Sequence, residues 1–372
     1  MKIQVNKNII IFNHNKKKTE IHPIWLRERV NGKEYLDKKT DQRLFDPSFL
    51  ENIKIKNAII DKSVLKLTFS DGVNSKYEIK KLISEFLDSS NLLNTVKPLL
   101  WNSSLKKKPN FLYNHKFFES KKMYNLLNSF YKYGFVIINN LPIKNNCIVN
   151  FANSIGNIRP TNFGEFFNVK SIPSPNDLAY TSLPLSPHTD NPYRKPVPCI
   201  QLLHCIQNEV SGGLSTLVDG FKVANYLKKF HPDYFKVLTK IKVKFRFIDR
   251  NVVLENEGEL IELDDKKNLK QIRFSTRLDY VPILKKNELE LYYKARKKIS
   301  DLYNSNKFKI EFKLKPGDLL MMDNHRLLHG RTAYDANEGK RFLQGCYIDY
   351  DSSEGKFRHL MRKFKMENVA SQ

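Results

Sequence analysis

Residues 178–194 read LAYTSLPLSPHTDNPYR, and at their centre His188 and Asp190 stand two positions apart. On an extended strand, residues i and i+2 face the same way, so this imidazole and this carboxylate can reach one ion. Two donors leave a site incomplete. A third lies far downstream in residues 323–331, DNHRLLHGR, which offer His325 and His329. Two imidazoles and one carboxylate on one face of a metal, with open positions opposite, suit a non-haem Fe(II) centre. An H-x-D pair by itself is common by chance. Its combination with a distant histidine and with the arginine described below is far more specific.

Each donor also has a plain structural explanation. His188 can be a hydrogen-bonded strand histidine, and Asp190 a turn former ahead of Asn191-Pro192. His325, four residues before His329, could share its face on a strand. His204 competes too, but it sits in the apolar run IQLLHC and reads as a core histidine. Arg341 opens the terminal apolar strand RFLQGCYI, twelve residues after His329. Pointing inward it would need a carboxylate, and its fixed guanidinium fork suits a dicarboxylate cosubstrate. The alternative is a surface ion pair at a strand end.

These residues need a scaffold, and 372 residues with 41% hydrophobic and 12% aromatic content can supply a sizeable core. No apolar run approaches the roughly 18 residues that span a bilayer. The first residues, MKIQVNKNIIIF, read as a strand without a cleavage site, not as a signal peptide. Cys147, Cys199, Cys205 and Cys346 form no CxxC pair or framework, which fits a reduced, cytoplasmic protein. The net charge of +25 is spread as lysine through almost every segment, with short clusters at 16–18 and 106–108. It comes without a zinc finger, an RNP-like strand or a basic heptad, so a solvated surface is the favoured reading over nucleic-acid binding.

The pattern predicts a small α+β N-terminal domain over 1–98 and a larger domain over 99–372. In the first, residues 55–69 form two β-branched runs of a meander, followed by helical spacing over 79–87. Residues 101–111 have few periodic features and read as the connection. In the second, helices are expected over 121–133, 148–155, 223–230 and 288–303, and strands over 134–138, 308–314, 319–322 and 342–348. The stretch 180–218 is strand-rich. Many short strands with few long helices predict a mainly β fold: a double-stranded β-helix (jelly-roll) catalytic domain with helical buttresses and a ligand pocket at its mouth.

The ordered series HTDNPYR, IQLLHC, GGLSTLVDGF, LIELDD, PGDLLMMDNHRLLHGR and RFLQGCYID, preceded by HPIWLRER, resembles the gamma-butyrobetaine hydroxylase and trimethyllysine hydroxylase family over nearly the whole chain. These are TauD-like Fe(II)- and 2-oxoglutarate-dependent dioxygenases. The resemblance implies His188, Asp190 and His329 as iron ligands, in preference to His325, and Arg341 as the holder of the distal carboxylate of 2-oxoglutarate. It also implies O2 as co-reactant, ascorbate as a reductant and a homodimeric assembly. The family's N-terminal unit often holds zinc through closely spaced cysteines. The matching residues 28–35, ERVNGKEY, have none, so no structural zinc is expected.

Family substrates carry a quaternary ammonium held by an aromatic cage through cation–π attraction. The matching positions are Phe163, Phe167, Tyr180 and Tyr347. Asp177 stands at the position that reads the substrate's other end, where trimethyllysine enzymes also tend to have Asp. An ionised Asp177 facing a bare carboxylate would call for Arg277 or Arg194 nearby. The implied function is hydroxylation of a small trimethylammonium compound, with gamma-butyrobetaine leading. Trimethyllysine and a trimethylaminoethylphosphonate-type compound follow. The rival of another class is a basic nucleic-acid-binding or interaction protein on an inactive barrel.

Overall fold

The computed structural model describes residues 2–14, 17–87, 96–114, 116–117, 120–170 and 181–370. The chain divides into two compact units, Met1–Leu92 and Leu93–Gln372.

In the first unit, strands Lys2–Val5, Ile10–His14 and Lys17–Ile21 form one antiparallel sheet. Strands Ile55–Asp61, Val64–Phe69 and Asn74–Glu78 form another, followed by helix Ile79–Leu87. The alternation of Leu65, Leu67 and Phe69 buries one face of the meander against Ile10, Phe12 and Leu26. Buried Arg27 pairs with Asp71 at 2.7 Å and lies over the rings of Tyr35 and Phe45, while Arg43 reaches back to Glu28.

The second unit is a two-sheet jelly roll. The larger sheet runs in the order Phe167–Val169, Arg341–Ile348, Ile200–Asn208, Leu319–Asp323, Phe135–Asn139 and Asn110–Leu112. The smaller runs Leu185–His188, Leu327–Arg331, Ser215–Asp219 and Lys309–Phe312. The strand Phe135–Asn139 is apolar from Phe135 to Ile138 because both faces are covered there. Phe135 and Ile137 join Leu217, Leu320, Met322 and Leu343 between the sheets. Val136 and Ile138 pack outward with residues of helices Lys121–Tyr133, Cys147–Ile155 and Tyr350–Ala370. Helices Gly220–Phe230, Pro232–Leu238 and Lys286–Asn304 cover the other side, together with the hairpin Lys242–Asp249/Val252–Glu259.

Two expectations need correction. Residues 101–111 are not a plain connection: Trp101 is 3% exposed, and its indole donates to the Tyr133 carbonyl at 2.7 Å. Residues Asn110–Leu112 add a parallel edge strand to Phe135–Asn139. His325 does not share a strand face with His329, because it lies in the turn after Leu319–Asp323.

One buried ion pair ties these parts together. Arg326 holds Asp219 at 2.7 Å and also donates to the carbonyls of Lys132 and Leu99. Asp219 in turn accepts from the Trp101 amide and caps helix Gly220–Phe230 through the amides of Phe221 and Lys222. Arg326→Ala would strand a buried carboxylate and is expected to cost about 3–5 kcal/mol in urea unfolding of the full chain, whereas Arg358→Ala on the partly exposed helix pair should cost under about 1 kcal/mol.

Candidate active site

Two strands of the smaller sheet carry the donors. Leu185–His188 pairs antiparallel with Leu327–Arg331, and His188 stands directly opposite His329. Their ring centroids are 4.5 Å apart. Close approach requires Gly330, because a side chain there would run into the Leu185 carbonyl and the Thr216 hydroxyl. The strand ends at His188, but Thr189 keeps the chain extended by bonding in both directions to Phe274. Asp190 therefore returns to the side of His188. Its Oδ1 lies 3.4 Å from His188 Nε2 and 3.7 Å from His329 Nε2.

These three side chains each offer one ligand atom, all within 4.8 Å of one another. His188 Nδ1 lies 2.9 Å from the Ser186 carbonyl, which turns Nε2 toward the cluster. Burial drops the His329 imidazole to about 4, with Asp190 opposing. Burial alone would raise Asp190, but His329, His188 and the Tyr347 hydroxyl hold it well below the usual carboxylate range. A neutral His329 imidazole beside an ionised carboxylate is the protonation state that a divalent cation needs. The two rival histidines stand elsewhere. His325 lies 3.1 Å from the Val197 carbonyl through Nε2 and meets the Tyr350 ring edge-on. His204 is buried on the opposite face of its strand from Gln201 and Leu203.

Two cavities meet at the triad. One is lined by His188, Asp190, His329, Leu203, Arg331 and Arg341, among others. Arg341 is 7% exposed there, and its Nε has no hydrogen-bond partner among the described residues. Burial and the like charge of Arg331 lower it to about 10, so it stays a cation. A buried guanidinium without a facing carboxylate is costly, and an anionic ligand would relieve it. Neighbouring Arg331 is differently employed, donating to the carbonyls of Thr181 and Leu183.

The second cavity opens on the other side of His188 and Asp190 and is walled by Phe163, Phe167, Tyr193 and Tyr347, with Ser275 and Arg277 also in its lining. Phe167 lies 5.4 Å from Tyr347, and Phe163 lies 6.5 Å from Phe167. Gly345 makes room for the Phe167 ring, since a Cβ there would fall 2.5 Å from it. Of the two arginines expected here, Arg277 lines the cavity, whereas Arg194 bonds Asn162 and does not. Tyr180 and Asp177 lie outside the described residues. Sequence reasoning missed Tyr193, although it stands in the quoted HTDNPYR. It also missed Gln201, which strand register brings to Asp190, and Asn324, which bonds Asp190 from the turn after Leu319–Asp323.

Residues 102–347 match the family described as taurine catabolism dioxygenase TauD, TfdA family. The chain belongs to the TauD/TfdA dioxygenase family. Among its TauD/TfdA relatives, the gamma-butyrobetaine dioxygenase of Homo sapiens is 30% identical over 93% of this chain and 92% of its own length. The gamma-butyrobetaine dioxygenase of Pseudomonas sp. (strain AK-1) is 33% identical over 62% of this chain and 60% of its own. The mitochondrial trimethyllysine dioxygenase of Mus musculus is 29% identical over 88% of this chain and 80% of its own. Among the described residues of this TauD/TfdA dioxygenase, no helix is long and apolar enough to cross a membrane.

His204 gives a test of the fold around this site. Burial lowers it to about 4 in the folded chain, whereas an unfolded histidine titrates near 6.5. The unfolded chain therefore takes the proton first as pH falls. Stability is complete above about 6.5 and declines toward 4, by about 3 kcal/mol from this group. His204→Leu should remove that part of the decline, read as urea midpoints of metal-free protein between pH 7 and 4.5. An unchanged pH slope would place the acid sensitivity elsewhere.

Proposed function

We propose that this dioxygenase hydroxylates a small trimethylammonium compound, with gamma-butyrobetaine as the leading substrate. It uses Fe(II) held by His188, Asp190 and His329, and 2-oxoglutarate whose distal carboxylate is held by Arg341. The observation that carries this reading is the arrangement of one buried His-Asp-His cluster between two cavities, one ending on a buried guanidinium that has no ion pair among the described residues and the other walled by aromatic rings. The donor set fits iron, and the guanidinium fits a dicarboxylate. When bound, iron and 2-oxoglutarate supply the activation of O2, with 2-oxoglutarate leaving as succinate and CO2.

The chain's own residues do the rest. Arg341 neutralises and orients the cosubstrate. Phe163, Phe167 and Tyr347 enclose the trimethylammonium group, exclude water and aim one C–H bond toward the cluster. Arg277, in the lining of the same cavity, suits an anionic group at the substrate's far end. Substrates named for the relatives, gamma-butyrobetaine and trimethyllysine, both carry such a group. A trimethylaminoethylphosphonate-type compound would place more negative charge beside Arg277. Family membership disfavours the rival reading of a basic nucleic-acid-binding or interaction protein on an inactive barrel. The N-terminal unit is proposed to be a metal-free counterpart of the family's zinc-binding domain, with the Arg27–Asp71 pair among the contacts that hold it. A cytoplasmic location belongs to the same proposal, supported by four free cysteines.

Succinate release over a panel of quaternary amines, with Fe(II) and 2-oxoglutarate present, tests the activity. Gamma-butyrobetaine should give the largest stimulation, and a panel without any stimulation would remove the substrate class. Replacing N(CH3)3+ by C(CH3)3 should weaken binding at least about tenfold, or about 1.4 kcal/mol. Asp190→Ala and His329→Ala should abolish turnover while His325→Ala keeps substantial activity, and the reverse pattern would overturn the ligand assignment. Elemental analysis of iron-loaded protein should find no stoichiometric zinc.

A further inference from the structure

The carboxylate of Asp190 has two oxygens with different surroundings. Oδ1 faces the Nε2 atoms of both histidines, at 3.4 and 3.7 Å. Oδ2 faces away and accepts two hydrogen bonds, from Gln201 Nε2 at 2.5 Å and from the Tyr347 hydroxyl at 2.8 Å. Gln201 and Tyr347 are direct partners across strands Ile200–Asn208 and Arg341–Ile348, so sheet register itself sets them side by side. Both are nearly inaccessible, at 2% and 3% exposure. The backbone of Asp190 is pinned separately. Its amide donates to Asn324 Oδ1 at 2.7 Å, and Asn324 Nδ2 donates to the Asp190 and Pro198 carbonyls.

We infer that Gln201 and Tyr347 are positioning residues that occupy Oδ2 and reserve Oδ1 alone for the metal, and that Tyr347 thereby links the substrate cavity to a metal ligand. This rests on the proposed iron reading of the triad. A six-coordinate ion with two imidazoles and one carboxylate oxygen keeps three positions, enough for a cosubstrate that binds through two atoms and for O2. If Asp190 bound through both oxygens, one of those positions would be lost. Two donors on Oδ2 oppose that rotation, and they also orient the carboxylate in advance of metal binding. The Tyr347 ring is at the same time a wall of the aromatic cavity, packed 5.4 Å from Phe167. A ligand pressing on that wall acts on the side chain that bonds Oδ2. Tyr347 thus has two separable roles, one in its ring and one in its hydroxyl.

Tyr347→Phe separates them, because the ring stays and the hydroxyl leaves. The full chain, freed of metal, is titrated with Co(II) under anaerobic conditions, following both affinity and the visible absorption of the bound ion. Tyr347→Phe and Gln201→Leu are each expected to weaken Co(II) binding by about tenfold or more and to alter the band positions or intensities, as a changed carboxylate mode would. In turnover, Tyr347→Phe should lower kcat and leave the substrate KM within about threefold, whereas Tyr347→Leu should raise KM as well. A merely structural role would lower the melting temperature of the metal-free chain and leave the Co(II) spectrum of the folded fraction alone. Tyr347→Phe and Gln201→Leu variants with wild-type spectrum and affinity would overturn the inference. Failure of the wild-type chain to bind Co(II), or undiminished binding by Asp190→Ala, would instead overturn the triad reading beneath it.

Discussion

The pairing of Leu185–His188 with Leu327–Arg331 is the constraint on which the site depends. These strands are far apart in the chain, and their register alone decides that His188 faces His329. A one-residue slip of either strand would turn its imidazole to the other side of the sheet and separate the pair. Several features hold the register. Gly330 allows the backbones to approach, Ser215–Asp219 pairs on the other edge of Leu327–Arg331, and Asn324 ties the turn before that strand to Asp190. The cluster is thus built on paired strands with its carboxylate fastened by a side chain from the opposing segment, which suits a site that must hold its geometry while ligands come and go.

Two buried arginines a short way apart in sequence show how surroundings separate structure from function. Arg326 has its carboxylate, Asp219, together with two backbone carbonyls, and every contact serves to join secondary-structure elements. Arg341 is similarly buried but has no ion pair among the described residues, and it opens on the cavity behind the triad. Burying a charge without a counterion is unfavourable unless something else supplies one. The same residue type in two similar burial states therefore points to a brace in one case and to a ligand-binding group in the other. The basic composition, by contrast, carries little of this. Its lysines lie mostly on solvated faces, and the cations that matter at the site are a few arginines placed by strand register.

Local pattern was sufficient where a segment's environment follows from its own residues. The helix Lys121–Tyr133 has an amphipathic stripe, a serine cap and Gly134 at its end, and it occupies the expected residues. The strand Phe135–Asn139, the meander from residue 55 and the terminal strand from Arg341 were legible for the same reason, with boundaries moving by a residue or two. Trp101 was not, because an isolated tryptophan in a lysine-rich stretch gives no period; its burial comes from partners at Tyr133 and Asp219. The hairpin from Lys242 and the long helix Tyr350–Ala370 were also missed.

By itself, then, the sequence determined the donor types, the order of motifs that places the chain among its relatives, and the elements whose periodicity is strong. Chemistry-bearing residue types and local spacing are properties of the chain alone. The motif series already preferred His329 to His325, and the tertiary structure supplied the physical ground: His329 faces His188 across paired strands, whereas His325 sits in a turn against the Val197 carbonyl. The tertiary structure decided that Gln201 and Tyr347 converge on one carboxylate oxygen, and that Arg277 rather than Arg194 lines the aromatic cavity. Those relations are set by register between segments distant in sequence, and pairing energies between such segments leave no mark in either segment taken alone.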